Sequence, residues 1–393
     1  MVHLVVVTQR LIGIDKGMKI NNLHIAMVAL LLAGCSEAEI DNGGQQQKGL
    51  MPVLFSAGNS EASVTRATAS YMPEDSRFVC SMFFHAGAND DDKDPYYYGE
   101  PNPEVNMSTT WLKINNATGN AVYRQKSFGD DSNLSIDTKT GFDNNATCFY
   151  WQNRKNHIFL ALADYNKLAS DDGNTGSLKL FPDINTVDAN KQYMLEFNLA
   201  QGAKMSEQPD PIRAVVEMKP SGSTQESNRV KLFFEHQFAQ VQVNLKSSLD
   251  ESASVSASQI EKVELLGVSH TGYVAYCINP DGSLPTTSYD KSTLKTTPFK
   301  MFENETSVPT GYLKSFECIA FGMLQGIRIT WKESKTNVEH TVTYDAITEK
   351  ELKSGTKYVY NMELRRSLIA QVTAVISAWT IDKNGYSTDG TIQ

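Results

Sequence analysis

Cysteine is scarce in this 393-residue chain, five in all, and no two of them have the CxxC spacing, which excludes a zinc knuckle and a dithiol redox motif. The GxSxG elbow, the HExxH helix and the glycine-rich phosphate loop are also missing. Of the seven histidines, those beyond residue 34 (His85, His157, His236, His270 and His340) are scattered without ligand spacing. No apolar run reaches the roughly 20 residues that a membrane-spanning helix needs. Positive charge is in deficit, 36 Lys and Arg against 45 Asp and Glu for a net −9, and such a surface repels phosphate backbones, which excludes nucleic acid as a partner. Acidic residues abound, yet no pair is singled out as the two carboxylates of a glycosidase. The expectation is a non-enzyme with no cofactor and no metal.

What is present begins at the N-terminus. Ile25 to Leu32 is an almost unbroken apolar run, preceded by Lys19 and followed by Ala33-Gly34-Cys35, the arrangement of a signal peptide ending in a lipobox. Met18-Lys19 makes a better start than Met1, so residues 1–34 are read as signal peptide plus an upstream extension, and Cys35 as the lipidated first residue of the mature chain. Two or more acyl chains, at about 0.8 kcal/mol per buried methylene, anchor stably where one does not. Removing residues 1–34 takes away Arg10, Lys16, Lys19 and Asp15 and moves the net charge from −9 to −11. Residues 35–50 are polar and read as a tether. Glu37, Glu39 and Asp41 resemble a signal that exports bacterial lipoproteins to the outer face of the outer membrane.

Alternation and turn residues dominate the rest. Pro52 to Ala57, Phe78 to Phe84, Phe149 to Trp151, Ile158 to Ala163, Tyr193 to Leu199, Val230 to Leu245, Val263 to Leu266, Ile327 to Trp331 with Val338 to Tyr344, Lys357 to Leu364 and Ala370 to Trp379 read as strands. Ile158 to Ala163 is apolar on both faces and is predicted buried. Only one helix is signalled, by a capping box at Thr348 and Glu351 with Gly355 past its end. Lys219 to Asn228 is turn-rich and gives the domain boundary, dividing the chain into 51–222 and 229–393. Val230 to Phe238 and Val241 to Leu245 have opposite parity, which predicts a bulge near Ala239-Gln240. This pattern points to an all-β protein of two β-sandwiches.

Two loops carry residues with possible chemistry. Asp90 to Asp94 spaces aspartates as calcium loops do, but the sixth position is not glycine and the twelfth is Pro101, so a solvated loop is expected. Tyr96 to Tyr98 could stack on sugar rings. Arg66 sits in the small-residue stretch Ser63 to Thr68, within reach of a trypsin-like protease. The envelope location permits Cys80–Cys148 and Cys277–Cys318 disulfides, while the strand pattern around Cys80 favours a buried thiol. His236 falls on an apolar strand face, where a core histidine bonded to backbone is expected rather than a catalyst.

Leu232 to Val243, Gln208-Pro209-Asp210-Pro211-Ile212, Leu352 to Tyr360 leading to a strand that ends in Trp379, and the lipobox together resemble the fimbrillin-like lipoproteins of the Bacteroidales, the type V pilus subunits. The resemblance implies two tandem transthyretin-like β-sandwich domains and a structural subunit of a surface fimbria with a role in adhesion. Its partners would be other fimbrial subunits, the outer membrane through the lipid, and host or bacterial surface glycans or proteins. It also implies processing after Arg66, removal of the first strand and its replacement by a strand from a neighbour. Thr380 to Gln393 offers few apolar residues, so the chain is expected to accept a strand more readily than give one, as a tip or accessory subunit. The competing reading is a surface glycan-binding lipoprotein.

Overall fold

The computed structural model describes residues between 51 and 379, apart from 60–71, 85–107, 115–118, 125–148, 169–193, 249–253, 290–296, 348–350 and some shorter breaks. Cys35, Arg66, the Asp90 to Tyr98 loop, Cys148, Cys277 and residues 380–393 lie outside the described residues, as do the expected signal peptide and tether.

The described regular structure is strand with short 3-10 turns, so the all-β expectation holds. In chain order the strands are β1 (Phe55–Asn59), β2 (Arg77–Phe84), β3 (Ser108–Ile114), β4 (Asn120–Arg124), β5 (His157–Asp164), β6 (Met194–Asn198), β7 (Pro211–Met218) and β8 (Val230–His236). They continue as β9 (Ala239–Ser247), β10 (Ile260–Val268), β11 (Thr271–Ala275), β12 (Ser288–Tyr289), β13 (Phe299–Lys300), β14 (Phe302–Glu303) and β15 (Lys314–Ala320). The last are β16 (Gly322–Lys332), β17 (Glu339–Tyr344), β18 (Glu351–Leu352), β19 (Thr356–Arg365) and β20 (Leu368–Ala378).

In the first unit, strands in the order β1-β4-β3-β2-β5-β7-β8 close into a barrel, which leaves no sheet edge open. Alternate residues fill it: Phe78, Cys80 and Met82 from β2, Phe159, Ala161 and Ala163 from β5, and Val230, Leu232 and Phe234 from β8. The second unit is a sandwich of two sheets, β13-β10-β16-β17 with β18 on β16, and β14-β15-β9-β19-β20. Val241, Val243 and Leu245 face Val263, Leu265, Ile327 and Ile329 in its core, joined by Tyr358, Tyr360, Met362 and Leu364.

A third, small sheet, β6-β11-β12, lies between the units. Leu195 and Phe197 of β6 belong to the second core, and so do Val79 and Leu162, which point outward from β2 and β5 because their neighbours fill the barrel. β5 is buried at every position, as its two-faced apolar sequence requires, and Leu162 on its outer face is covered by the second core. Gly272 of β11 is the close-approach point: a Cβ there would stand 2.7 Å from the Phe321 ring and 3.0 Å from that of Phe238. Arg213 adds a polar tie, donating through Nη1 to the Ala275 carbonyl at 3.3 Å. Burial pulls its guanidinium down to about 10, against the opposing influence of Glu235.

Several expectations need correcting. Residues 219–228 do not separate the units, since β8 beyond them closes the first barrel, and β6 packs with the second core. The chain crosses from one unit to the other at Gln237-Phe238, between β8 and β9. The change of parity there is that crossing, not a bulge: each segment turns its apolar set toward a different core. The expected helix gives way to β18, paired with β16 through Gly322↔Leu352, and Gly355 takes φ 65° in the turn before β19. Cys80 and Cys318 are free, buried thiols, and burial pushes both up. The pairing of Ile327 to Trp331 with Val338 to Tyr344 is found, as β16 with β17.

Candidate strand-exchange site

Among the described strands, β1 alone lies between β4 and β8. It runs antiparallel to β4 (Phe55↔Ala121) and parallel to β8, in register from Phe55↔Val230 to Asn59↔Phe234. The apolar alternation of the sequence sends Met51, Val53, Phe55 and Ala57 into the barrel, where they are exposed by 2%, 0%, 0% and 1%. Burying each large side chain is worth about 1.5–3 kcal/mol. The Phe55 ring meets Phe159 edge-on at 5.4 Å and Phe149 at 6.0 Å.

Main-chain bonds hold the segment along both sides. Val53 N–H donates to the Phe149 carbonyl (2.9 Å), Trp151 N–H to that of Met51 (3.0 Å), Ala57 N–H to that of Gly119 (2.8 Å) and Val230 N–H to that of Leu54 (2.8 Å). Arg229, directly before β8, adds a side-chain contact by donating through Nη1 to the Phe55 carbonyl at 2.8 Å. Its other two nitrogens clasp Glu226 in a two-point pair of 3.0 and 2.6 Å, which holds the Glu226 carboxyl below its ordinary value. Nothing in the sequence pattern pointed to Arg229. The segment thus fills a slot that would open, on its loss, onto Phe149, Phe159, Val230 and Leu232.

β8 leads from the slot to the joint between the units. Val230 to Phe234 pair with β1, whereas only Glu235 and His236 pair with β7. His236, 1% exposed, bonds through Nδ1 to Asp210 Oδ1 at 2.8 Å and stacks flat on Trp379, centroids 3.7 Å apart and 3° from parallel. The Tyr165 ring meets it edge-on at 5.2 Å. Ser354 donates to the Gln237 carbonyl at 2.6 Å, Gly355 N–H to that of Phe238 at 2.9 Å and Trp379 N–H to that of Gly355 at 2.7 Å. His236 is a core histidine, as expected, but its ring bonds the Asp210 carboxylate where a backbone partner was expected. Its joint unites three stretches on which the sequence resemblance rested, 208–212, 232–243 and 352–360 with Trp379.

β20 departs from expectation. Its apolar content is that of a core strand, but it is the edge of its sheet, paired only with β19 among the described strands, and Leu368 and Ile376 are 45% and 41% exposed. The facing strand, β17, is also an edge among the described strands and turns only half-buried residues toward the core, where Val342 and Tyr344 pack with Ile369 and Val372 of β20 against its margin.

Among solved structures, the chain is similar to a candidate cell adhesion protein from Bacteroides ovatus, at 11% identity over 85% of this chain and 100% of that one, TM-score 0.47. It is similar to another from Bacteroides uniformis (12%, 85% and 100%, TM-score 0.45). A third is the tip fimbrial protein Mfa3 from Porphyromonas gingivalis with a C-terminal truncation (10%, 83% and 99%, TM-score 0.39). No curated protein matches. A family model described as Fimbrillin-like matches residues 109–379, more than half of the chain, and the chain belongs to the fimbrillin-like family.

Proposed function

We propose that this chain, by its family a non-enzymatic structural subunit of a cell-surface fimbrium with a role in adhesion, works as a strand acceptor at the tip or in an accessory position. In this reading Cys35 carries the lipid that holds it on the outer membrane. Cleavage after Arg66 leaves β1 tied to the barrel by non-covalent contacts alone, and another subunit's strand then takes its place.

The observation that carries the reading is β1 itself: it lies N-terminal to Arg66, fills its slot with an alternating apolar set, and alone among the described strands joins β4 to β8. Main-chain bonds supply affinity and alternate side chains supply fit in strand addition, and the β1 slot offers both. The acceptor role is supported by the poverty of the alternatives for donation. Residues 380–393 hold only Ile381, Tyr386 and Ile392 as large apolar side chains. In the slot's spacing, β20 would present Val372, Ala374, Ile376 and Ala378, with isoleucine in the place of Phe55.

The test is made on cells. The assembled protein should start at Ala67, and Arg66→Ala should keep the N-terminal segment and remain outside fimbriae; an assembled native form that still contains Val53 would refute exchange. Cys35→Ala should block incorporation of radiolabelled palmitate, and equal labelling of the variant would rule out that anchor. The acceptor role fails if the purified chain, once cleaved, forms long homopolymers.

A further inference from the structure

We infer that the β1 slot admits strands of only one direction, register and size order, and that Arg229 anchors the backbone carbonyl of whichever residue is seated in the aromatic pocket. The inference rests on the strand-exchange reading above and names the partner it requires: an extended segment parallel to β8 with alternate residues aliphatic, aliphatic, aromatic and small.

The size order comes from the neighbours. Phe55 stands between Ala121 of β4 and Val230 of β8, two small partners that leave room for a ring, and Phe149 and Phe159 close the space above it. Two residues on, the partner is Leu232, fully buried, and β1 supplies only the methyl of Ala57. Large thus faces small and small faces large, the interdigitation that fills a core without strain. Sliding a strand by one residue turns its apolar set out of the barrel. Sliding it forward by two drives the aromatic ring against Leu232 and puts valine between Phe149 and Phe159, and sliding it back by two puts alanine there, so either slip underfills the ring's place. Reversing the strand exchanges its parallel and antiparallel edges, whose hydrogen-bond spacings differ.

Arg229 supplies the backbone reading. Two of its nitrogens are fixed by Glu226, so the guanidinium points its remaining Nη1 donor at one place, the Phe55 carbonyl. A carbonyl belongs to every residue, so this contact selects position and not side chain. The bond is charge-assisted, the stronger class. It is a positioning contact, while selectivity among strands comes from the aromatic pocket.

The test uses the full chain cleaved after Arg66 and fluorescent nonapeptides. The copy of residues 51–59 should bind. Alanine in the Phe55 place, phenylalanine in the Ala57 place, the reversed sequence and a copy of residues 372–380 should each bind about 100-fold more weakly or worse, the scale of an emptied or overfilled core site. A thioamide in place of the Phe55 carbonyl should weaken binding to the native chain about tenfold and leave binding to the Arg229→Ala chain unchanged. If no peptide binds, the native copy included, the exchange reading itself falls. If the native copy binds and the reversed or altered peptides bind equally, exchange stands and slot selectivity is overturned. A thioamide effect that is the same with and without Arg229 overturns its role.

Discussion

Replacing His236 with leucine should loosen the joint between the units far more than its single hydrogen bond suggests. The imidazole is 1% exposed, and its Nδ1 is 2.8 Å from the Asp210 carboxylate, which is itself 1% exposed. Removing one partner leaves the other buried without its hydrogen bond, at a cost of about 1–3 kcal/mol, and more for a charged group. Loss of the flat stack on Trp379 adds about 0.5–1.5 kcal/mol, by analogy with aromatic pairs. Against a total stability of about 5–15 kcal/mol, the single change removes a large share. Asp210→Leu should cost nearly as much. The double variant, with neither group left unpaired, should lose less than the two single losses added together, by more than about 0.5 kcal/mol. Urea unfolding of the four proteins, followed by tryptophan fluorescence, measures this directly. Losses below about 1 kcal/mol for the single variants, or losses that add to within about 0.5 kcal/mol, would refute the view that the pair holds the joint.

Gly272→Ala should destabilise the chain by about 1–3 kcal/mol, because the new methyl meets the Phe321 and Phe238 rings; an unchanged melting temperature would contradict that packing. Ile376→Lys, on the exposed β20 edge, should change stability by less than about 0.5 kcal/mol while lowering any self-association seen by light scattering. Cys80 and Cys318 should resist a thiol reagent at pH 8 in the native state and react on unfolding, since burial raises both; rapid native labelling of either would argue against their burial. The Glu226 carboxyl is lowered in the folded state, first by its hydrogen bond from Arg229. Its contribution is therefore present above the ordinary value of 4.5 and is lost as pH falls through the lowered one. Melting temperature should drop less on acidification in Glu226→Gln than in the native chain, and parallel curves would count against the pair.

The strands were legible wherever one face meets a core and the other meets solvent. Val230, Leu232 and Phe234 alternate with exposed Lys231, Phe233 and Glu235, and period two survives into the structure unchanged. The crossing between units was also written in the sequence, as the reversed parity after Phe238, but turn composition at residues 219–228 was the louder signal. Turn residues mark a reversal of direction, and a reversal inside a barrel has the same composition as a linker. β20 misled for a related reason: its apolar content resembles that of a core strand, and only the sheet order reveals that no strand lies beyond it. Arg229 could not have been found, since its acceptor is a backbone carbonyl 174 residues away, and backbone acceptors leave no trace in residue type.

The joint and the slot are mechanically one feature because β8 belongs to both. Its first five residues gain their strand partner from β1, its last two from β7, and its terminal His236 is fixed between Asp210 of the first unit and Trp379 of the second. A strand held by cross-strand bonds alone can slip along its axis in steps of two residues without turning its apolar set outward. β8 cannot slip without pulling a buried imidazole from its carboxylate and its stacked indole, at a cost of about 1–3 kcal/mol, and more for a charged group. The joint therefore sets the height of Val230 and Leu232 in the slot wall, and with them, under the proposed exchange, the positions at which an entering strand would have to be wide or narrow. Fimbrial subunits that exchange strands need a groove whose register outlasts the departure of its first occupant. Under the proposed exchange, the second unit would give this chain that fixed wall.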